Sequence, residues 1–191
     1  MSNMKTALER AMEKASKLGE ATEEEKMKWK WLPEGVRLAG EYFKNELDLS
    51  NVLDGYSEVE REYVFKGFIE VLASNITLPK SKAAKDNLDK AIEGLSKIDP
   101  KDKQLSDLAG KIQYVITQYL QFGMQKQQEA YQQLKQQMEE SLNTQNAMMP
   151  NPEINVEAIP EFQQQWFRIV NEIEKPYQEH LENYKKEITE R

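Results

Sequence analysis

The chain has 191 residues, of which 33 are acidic and 26 are basic, so its formal net charge is -7. Because it has no cysteine, it can form neither a disulfide nor a thiolate nucleophile, and a reducing compartment is the expected location. The excess of negative charge argues against nucleic acid as the main partner, since duplex binding depends on basic side chains that neutralise phosphates.

The chain begins with the pattern of a charged helix rather than that of a secretion signal. Thr6 and Glu9 have the capping-box spacing that begins a helix, and Gly19 would end it. Charged side chains alternate with small apolar ones over residues 1–20, and no apolar run typical of a signal peptide follows. We therefore expect a short first helix and a cytoplasmic protein.

Two more helices are expected in the region that follows. Thr22 and Glu25 repeat the capping-box spacing and would begin a helix that ends near Trp31. Pro33 suits the first turn of the next helix, because a proline there costs no backbone hydrogen bond. The inward side chains of that helix are expected to be Val36, Ala39, Tyr42, Phe43 and Leu47.

A further pair of helices completes the amino-terminal part, residues 1–98. Ser57 and Glu60 form a third capping pair before a strongly apolar helix, which is expected over residues 59–72. Ser81 would begin the other helix. Aromatic residues of this part are candidates to line a ligand pocket beside the helix that comes next: Trp31, Tyr42, Phe43 and Phe65.

A long helix and a return helix are expected in the rest of the chain. Asp99 and Pro100 have the pattern of an N-cap followed by a proline in the first turn. Between Leu105 and Leu142 there is no proline, and apolar positions recur every eleven residues, a spacing that keeps an apolar stripe on one side of a straight helix. The last helix repeats this spacing at Phe162, Ile173 and Tyr184.

These patterns predict an all-α fold. We expect a helical bundle with a long antiparallel α-hairpin over about residues 102–188, and a smaller amino-terminal set of helices packed on it. The chain would divide into the amino-terminal part, residues 1–98, and the hairpin, residues 99–191, within one continuous fold.

The uncharged run from Ile112 to Gln125 would make the long helix apolar on more than one side. Such a helix must be covered on each apolar side, by other helices of the chain or by a partner. Gly123 interrupts the apolar stripe, which indicates either the close approach of another backbone or a packing gap. The ten glutamines between Gln113 and Gln137 form either a solvated face or an interaction surface. The candidates for an interaction surface are Tyr114, Tyr119, Phe122, Gly123, Gln127, Tyr131, Met148 and Met149.

The sequence contains no motif of catalysis or metal binding. His180 is the only histidine, and no carboxylate shares its helix face. The clusters Glu23–Glu25 and Glu139–Glu140 are typical of solvated helix ends. A glycine-rich phosphate loop and a serine-centred elbow are both missing. We therefore expect no catalytic, cofactor-binding or metal-binding residue, no cofactor and no enzymatic activity.

The chain contains the segments KTALERAMEKA near its start and FQQQWFRIVNEIEKPYQEHLENYKKEI near its end. With them it resembles a set of uncharacterised bacterial all-helical proteins, and this resemblance implies no particular activity. We predict a non-enzymatic interaction protein, scaffold or adaptor, whose partner is another protein or a second copy of itself, and neither nucleic acid nor a membrane. The alternative is a ligand-binding or sensory helical domain with an aromatic pocket.

Overall fold

The computed structural model describes residues 21–145 and 155–191. The helices are α1 (Glu23–Phe43), α2 (Glu58–Ser74), α3 (Lys82–Lys97), α4 (Lys103–Gln118), α5 (Met124–Gln145) and α6 (Pro160–Thr189). A π-helix (Tyr119–Gly123) joins α4 to α5, and a 3-10 turn (Val156–Ala158) precedes α6. No described residue lies in a strand, so the predicted all-α class is confirmed. The helix expected over residues 1–20 lies outside the described residues.

The chain divides into two compact units, residues 1–71 and residues 72–191. The sequence predicts a division after residue 98, at the start of the hairpin. The compact second unit begins at residue 72 and includes all of α3. The division after residue 98 stays a prediction.

In the first unit, α1 begins at the predicted capping box but does not end where expected. The backbone N–H of Glu25 donates to Thr22 Oγ1 at 3.2 Å, and the backbone N–H of Thr22 donates to Glu25 Oε2 at 2.8 Å. The helix continues through Pro33 to Phe43, so the predicted break near Trp31 is wrong. A proline inside a helix removes one backbone hydrogen bond and costs about 3 kcal/mol. We attribute the continuation to the close packing of α1 on α2, which offsets this cost.

The two backbones of α1 and α2 touch at a pair of glycines. A Cβ atom built on Gly35 would lie 1.9 Å from the carbonyl oxygen of Val64, and one built on Gly67 would lie 2.1 Å from that of Leu32. Only a hydrogen atom fits at either place, so each glycine is required by its neighbour's backbone. Val36 was expected to point inward but is 42% exposed, because the face of α1 that contacts α2 carries Gly35 instead.

The next two helices begin at their predicted residues. The backbone N–H of Ser57 donates to Glu60 Oε2 at 3.0 Å before α2. Ser81 Oγ accepts the backbone N–H of Ala84 at 3.1 Å before α3. Capping is a local interaction between residues a few positions apart, which is why its pattern is visible in the sequence.

Helix α4 begins later than predicted. Asp102, not Asp99, is its N-cap, since Asp102 Oδ1 accepts the backbone N–H groups of Gln104 at 3.0 Å and Leu105 at 3.1 Å. Asp99 forms a turn before the helix, in which its carbonyl oxygen accepts the backbone N–H of Asp102 at 3.0 Å. Pro100 therefore occupies a turn rather than the first helical position, a place that its fixed φ also suits.

In the second unit, α3 packs on α4, and α4 and α5 both pack on α6. The chain is helical from Lys103 to Gln145, but the π-helix interrupts the α-helix within this stretch. The eleven-residue spacing predicts an uninterrupted α-helix instead. Helix α6 is antiparallel to them, as three contacts show: Asp102 with Arg191, Tyr119 with Tyr177 and Tyr131 with Trp166.

Much of the buried core of the second unit lies on the helices α3, α4 and α6, of which α4 packs on both of the others. Its fully buried large side chains in these helices are Leu88, Leu95, Leu105, Ile112, Ile116, Leu181 and Ile188. A separate cluster between α5 and α6 is built on Leu134, Val156 and Phe162. Among the described residues, no helix has both the length and the apolar character needed to cross a lipid bilayer.

Candidate functional site

The π-helix makes room for a tyrosine ring between α5 and α6. Tyr119 is 3% exposed, and its ring meets that of Tyr177 edge-on with centroids 5.4 Å apart. A Cβ atom built on Gly123 would lie 2.6 Å from Tyr119 Cδ2 and 3.3 Å from Tyr177 Cε2. The missing side chain at Gly123 is thus replaced by two aromatic rings rather than by another backbone. A π-helix widens one turn of a helix and is frequent at functional sites.

A buried carboxylate lies against this tyrosine. Glu174 of α6 is 2% exposed and is the one charged side chain buried among the described residues. Its Oε1 accepts the Tyr119 hydroxyl at 3.1 Å and the Gln127 amide at 3.4 Å. Its Oε2 accepts the Gln178 amide at 3.1 Å and pairs with Lys80 Nζ at 3.2 Å. Four donors therefore balance the cost of burying the carboxylate.

The protonation of Tyr119 follows from its position. Burial, together with the negative charge of Glu174, raises the pKa of Tyr119 above its ordinary value of about 10. The phenol therefore keeps its proton near neutral pH and donates a hydrogen bond to Glu174. The Gln127 amide also donates to the Tyr119 oxygen, at 3.4 Å, which closes a three-membered set of hydrogen bonds.

An open groove lies beside this network, on the π-helix, α5 and α6. It has a volume of about 510 Å3, and we call it the glutamine-lined groove after the residues that form it: Leu120, Gln121, Met124, Gln125, Gln127, Gln128, Tyr131 and Trp166. None of these residues is charged. Met124 is 50% exposed, so apolar surface faces solvent. Gln127 belongs to both the groove and the network, because its amide is bonded to Glu174.

A smaller cavity is lined by two other residues that contact the same carboxylate. Its volume is about 250 Å3, and Lys80 and Gln178, which both contact Glu174, are among the residues that line it. Its apolar wall consists of Ile76, Leu78 and Leu181, all of them buried. Glu174 is thus linked to two surface depressions through the side chains that hold it.

Several predicted interaction residues are brought together here, but not all of them at the surface. Tyr119 and Gly123 are buried, since the π-helix turns them toward α6. Gln127 and Tyr131 line the groove. Tyr114 and Phe122 are exposed, at 65% and 45%, and neither lines the groove. Met148 and Met149 lie outside the described residues.

Glu174 and Trp166 were not among the predicted site residues. Glu174 precedes Leu181 and Ile188 by seven and fourteen residues, so a carboxylate stands in the buried stripe of α6. That position was the available signal for a buried polar network. Trp166 and Met124 could be assigned to a helix face but not to a groove, because a groove depends on how side chains of two different helices are placed in space.

The predicted pocket residues lie in the first unit. Trp31, Tyr42, Phe43 and Phe65 are all half-buried. The Trp31 ring meets the Tyr56 ring edge-on at 5.6 Å. In the part of the chain that the structure describes, the buried Trp31 Nε1 has no hydrogen-bond partner. A ligand pocket at these residues stays a prediction.

Metal and histidine chemistry receive no support from the described residues. No group of three or more histidine, aspartate or glutamate side chains in residues 21–145 and 155–191 is arranged to hold a metal ion. His180 is exposed on α6.

Gly123→Ala and Gly110→Ala should change stability in opposite directions. At position 123 the new methyl would overlap the packed Tyr119 ring, and such overpacking costs about 1–3 kcal/mol, more than the roughly 1 kcal/mol gained in helix propensity. Gly110 is also helical, but a Cβ atom there meets nothing within 4 Å. Only the stabilisation from the higher helix propensity of alanine should therefore remain. Urea unfolding followed by circular dichroism measures both. Equal stabilisation by the two changes would show that the rings do not occupy the space at Gly123.

Comparison with known proteins finds a family but no characterised relative. A family model described as a family of unknown function (DUF6657) matches residues 50–190, most of the chain. This confirms the predicted resemblance to uncharacterised proteins, while the bacterial origin stays a prediction. No curated protein matches the chain, and no solved structure matches it either.

Proposed function

The chain belongs to the family of unknown function DUF6657, and we propose that it is a non-enzymatic interaction protein that binds a helical segment of a protein partner in the glutamine-lined groove. The observation that carries this proposal is an uncharged groove with exposed apolar side chains on the surface of a protein whose net charge is -7. Because the chain has no cysteine and needs no oxidising compartment, we place this interaction in the cytoplasm.

The side chains of the groove suit a helical partner. Leu120 and Trp166 supply apolar contact area, and Met124 is unbranched and adapts to the shape of what it contacts. An amphipathic helix binds such a groove by inserting apolar side chains spaced three and four residues apart. The glutamine amides can both donate and accept hydrogen bonds at the rim of the same interface.

The buried network supports this role by fixing the floor of the groove. The Gln127 side chain is held by Tyr119 and Glu174, so it need not be ordered when a partner arrives. Every side chain that is already immobilised lowers the entropic cost of association. We therefore interpret Glu174 as a positioning residue for the groove rather than as a catalytic carboxylate.

A photoreactive side chain at position 124, introduced into the protein in its native cells, tests the proposal. On illumination it should form one crosslinked product of defined mass, whose partner peptide maps by mass spectrometry to a helical segment. This result is expected because Met124 lies in the groove and is half exposed.

Position 133 provides the matched control. Gln133 is exposed on the same helix, nine residues later, which places it on the opposite side of α5. The photoreactive side chain at this position should not give the product seen from position 124. The same product from both positions, or none from either, would contradict binding in the groove.

A further inference from the structure

We infer that the partner in the glutamine-lined groove is a second copy of this chain, and that two copies join their α5 and α6 helices into a four-helix arrangement. This inference rests on the proposed function and names its partner. It is carried by three observations: the layer that α5 and α6 form is one helix thick, the glutamine-lined groove on it carries no charge, and the layer is large enough for a stable interface.

The layer formed by α5 and α6 is two helices wide and one helix thick. Within the second unit, α5 packs on α6 and on the 3-10 turn Val156–Ala158. The buried members of this layer's core are Leu134, Val156 and Phe162, and its other apolar residues, such as Tyr131 and Trp166, are only partly buried. A pair of antiparallel helices with an apolar face is half of a four-helix bundle, and a second pair completes the core.

The lack of charge in the groove favours a second copy at this place on the molecule. Two chains of net charge -7 repel each other, so association requires a contact face without a negative field. The groove residues carry no charge, and residues 101–149 contain five acidic and five basic side chains. Two symmetry-related copies bring the same patch of surface together, so the patch must be complementary to itself. Glutamine amides can pair with one another because each both donates and accepts hydrogen bonds.

The face is also large enough for a stable dimer. From Leu120 to Leu142 the helix is about 33 Å long, at 1.5 Å per residue. Two packed helices present a face about 20 Å wide, given their diameters and an interaxial distance of about 9 Å. The resulting area of about 660 Å2 per copy, or about 1,300 Å2 in total, lies within the range of specific interfaces.

Sedimentation velocity over a concentration series tests the inference on the purified full-length chain. The wild-type protein should reach twice the 22.3 kDa mass of one chain at high concentration. Met124→Glu and Gln128→Glu each place a carboxylate of both copies in the shared groove, so each should raise the dissociation constant at least about tenfold. Gln133→Glu makes the same chemical change on the opposite side of α5 and should leave the dimer intact. Circular dichroism confirms that each variant is folded.

A charge-reversal experiment identifies the face directly. Gln128→Lys alone should weaken the dimer as Gln128→Glu does, and an equal mixture of the two variants should restore association as a mixed dimer. A wild-type protein that stays monomeric, a dimer indifferent to Met124→Glu, or a mixture that fails to associate would each overturn the inference.

The two proposals fail in different ways. If the purified chain is monomeric but position 124 crosslinks to a different protein, the second copy is wrong and the groove is still a binding site. If the chain is monomeric and position 124 gives no specific product, both proposals are wrong. A crosslinked product of twice the chain mass supports both.

Discussion

Gly67→Ala should destabilise the first unit by about 3 kcal/mol or more, at the upper end of the range for overpacking. The added methyl would lie 2.1 Å from the carbonyl oxygen of Leu32, which belongs to the backbone of α1 and cannot move aside as a side chain does. Helices α1 and α2 must separate to accept it. Gly35→Ala should have a similar effect, because its methyl would meet the Val64 carbonyl oxygen at 1.9 Å.

Hydrogen exchange measured by mass spectrometry, together with urea unfolding, would locate this loss. Peptides of α1 and α2 should exchange faster in both variants than in the wild type, since their close contact holds them. Gly40→Ala is the matched control in α1, because a Cβ atom there meets nothing within 4 Å, and it should gain up to about 1 kcal/mol of stability. If Gly67→Ala behaved as Gly40→Ala does, the two backbones would not be in contact.

Glu174→Ala should cost the second unit about 3–5 kcal/mol, the range for breaking a buried charged network. The change removes the acceptor of the Tyr119 hydroxyl and of the Gln127 and Gln178 amides, and it leaves a cavity where the carboxylate was. Buried donors without an acceptor lose their hydration with no compensation, which is why the loss exceeds that of an ordinary hydrogen bond. Urea unfolding followed by circular dichroism measures the free energy of unfolding.

The controls separate this network from general effects on α6. Glu172→Ala removes an exposed carboxylate two residues away on the same helix and should change stability by no more than about 0.5 kcal/mol. Tyr119→Phe keeps the ring and deletes only the hydroxyl, so it should cost about 1.5–3 kcal/mol, less than Glu174→Ala. A Glu174→Ala protein as stable as Glu172→Ala would refute the role of Glu174 in holding Gln127 and Tyr119.

The parts of the fold that could be predicted from sequence are those set by neighbours along the chain. Thr22 and Ser81 begin their helices as predicted, because a cap depends on residues two or three positions away. The start of α4 was misplaced by three residues because Asp99 and Asp102 are both able to cap a helix. Which of them is the N-cap depends on the turn between them. Pro33 was misinterpreted because its tolerance inside α1 depends on packing elsewhere along the helix.

The candidate site depends on contacts between distant residues, and so most of it could not be predicted. Tyr119 and Glu174 are 55 positions apart, and Lys80 is further still from Glu174 along the chain. The unusual glycine at position 123 was noticed, but its meaning required knowing that the helix changes its hydrogen-bonding pattern there. The groove itself is a gap between side chains, which composition and spacing describe only as a run of glutamines.

The π-helix also determines where the length of this chain can change. A turn of this kind contains one residue more than the α-helical turn it replaces, so the helices on both sides keep their phase relative to α6. Loss of one residue within positions 119–123 would convert the turn to an ordinary one and leave both flanking faces aligned. The same loss elsewhere in α4 or α5 would rotate every later side chain by about 100° and separate the two halves of the stripe. When members of the family are aligned, a one-residue gap in this region therefore belongs at Tyr119–Gly123.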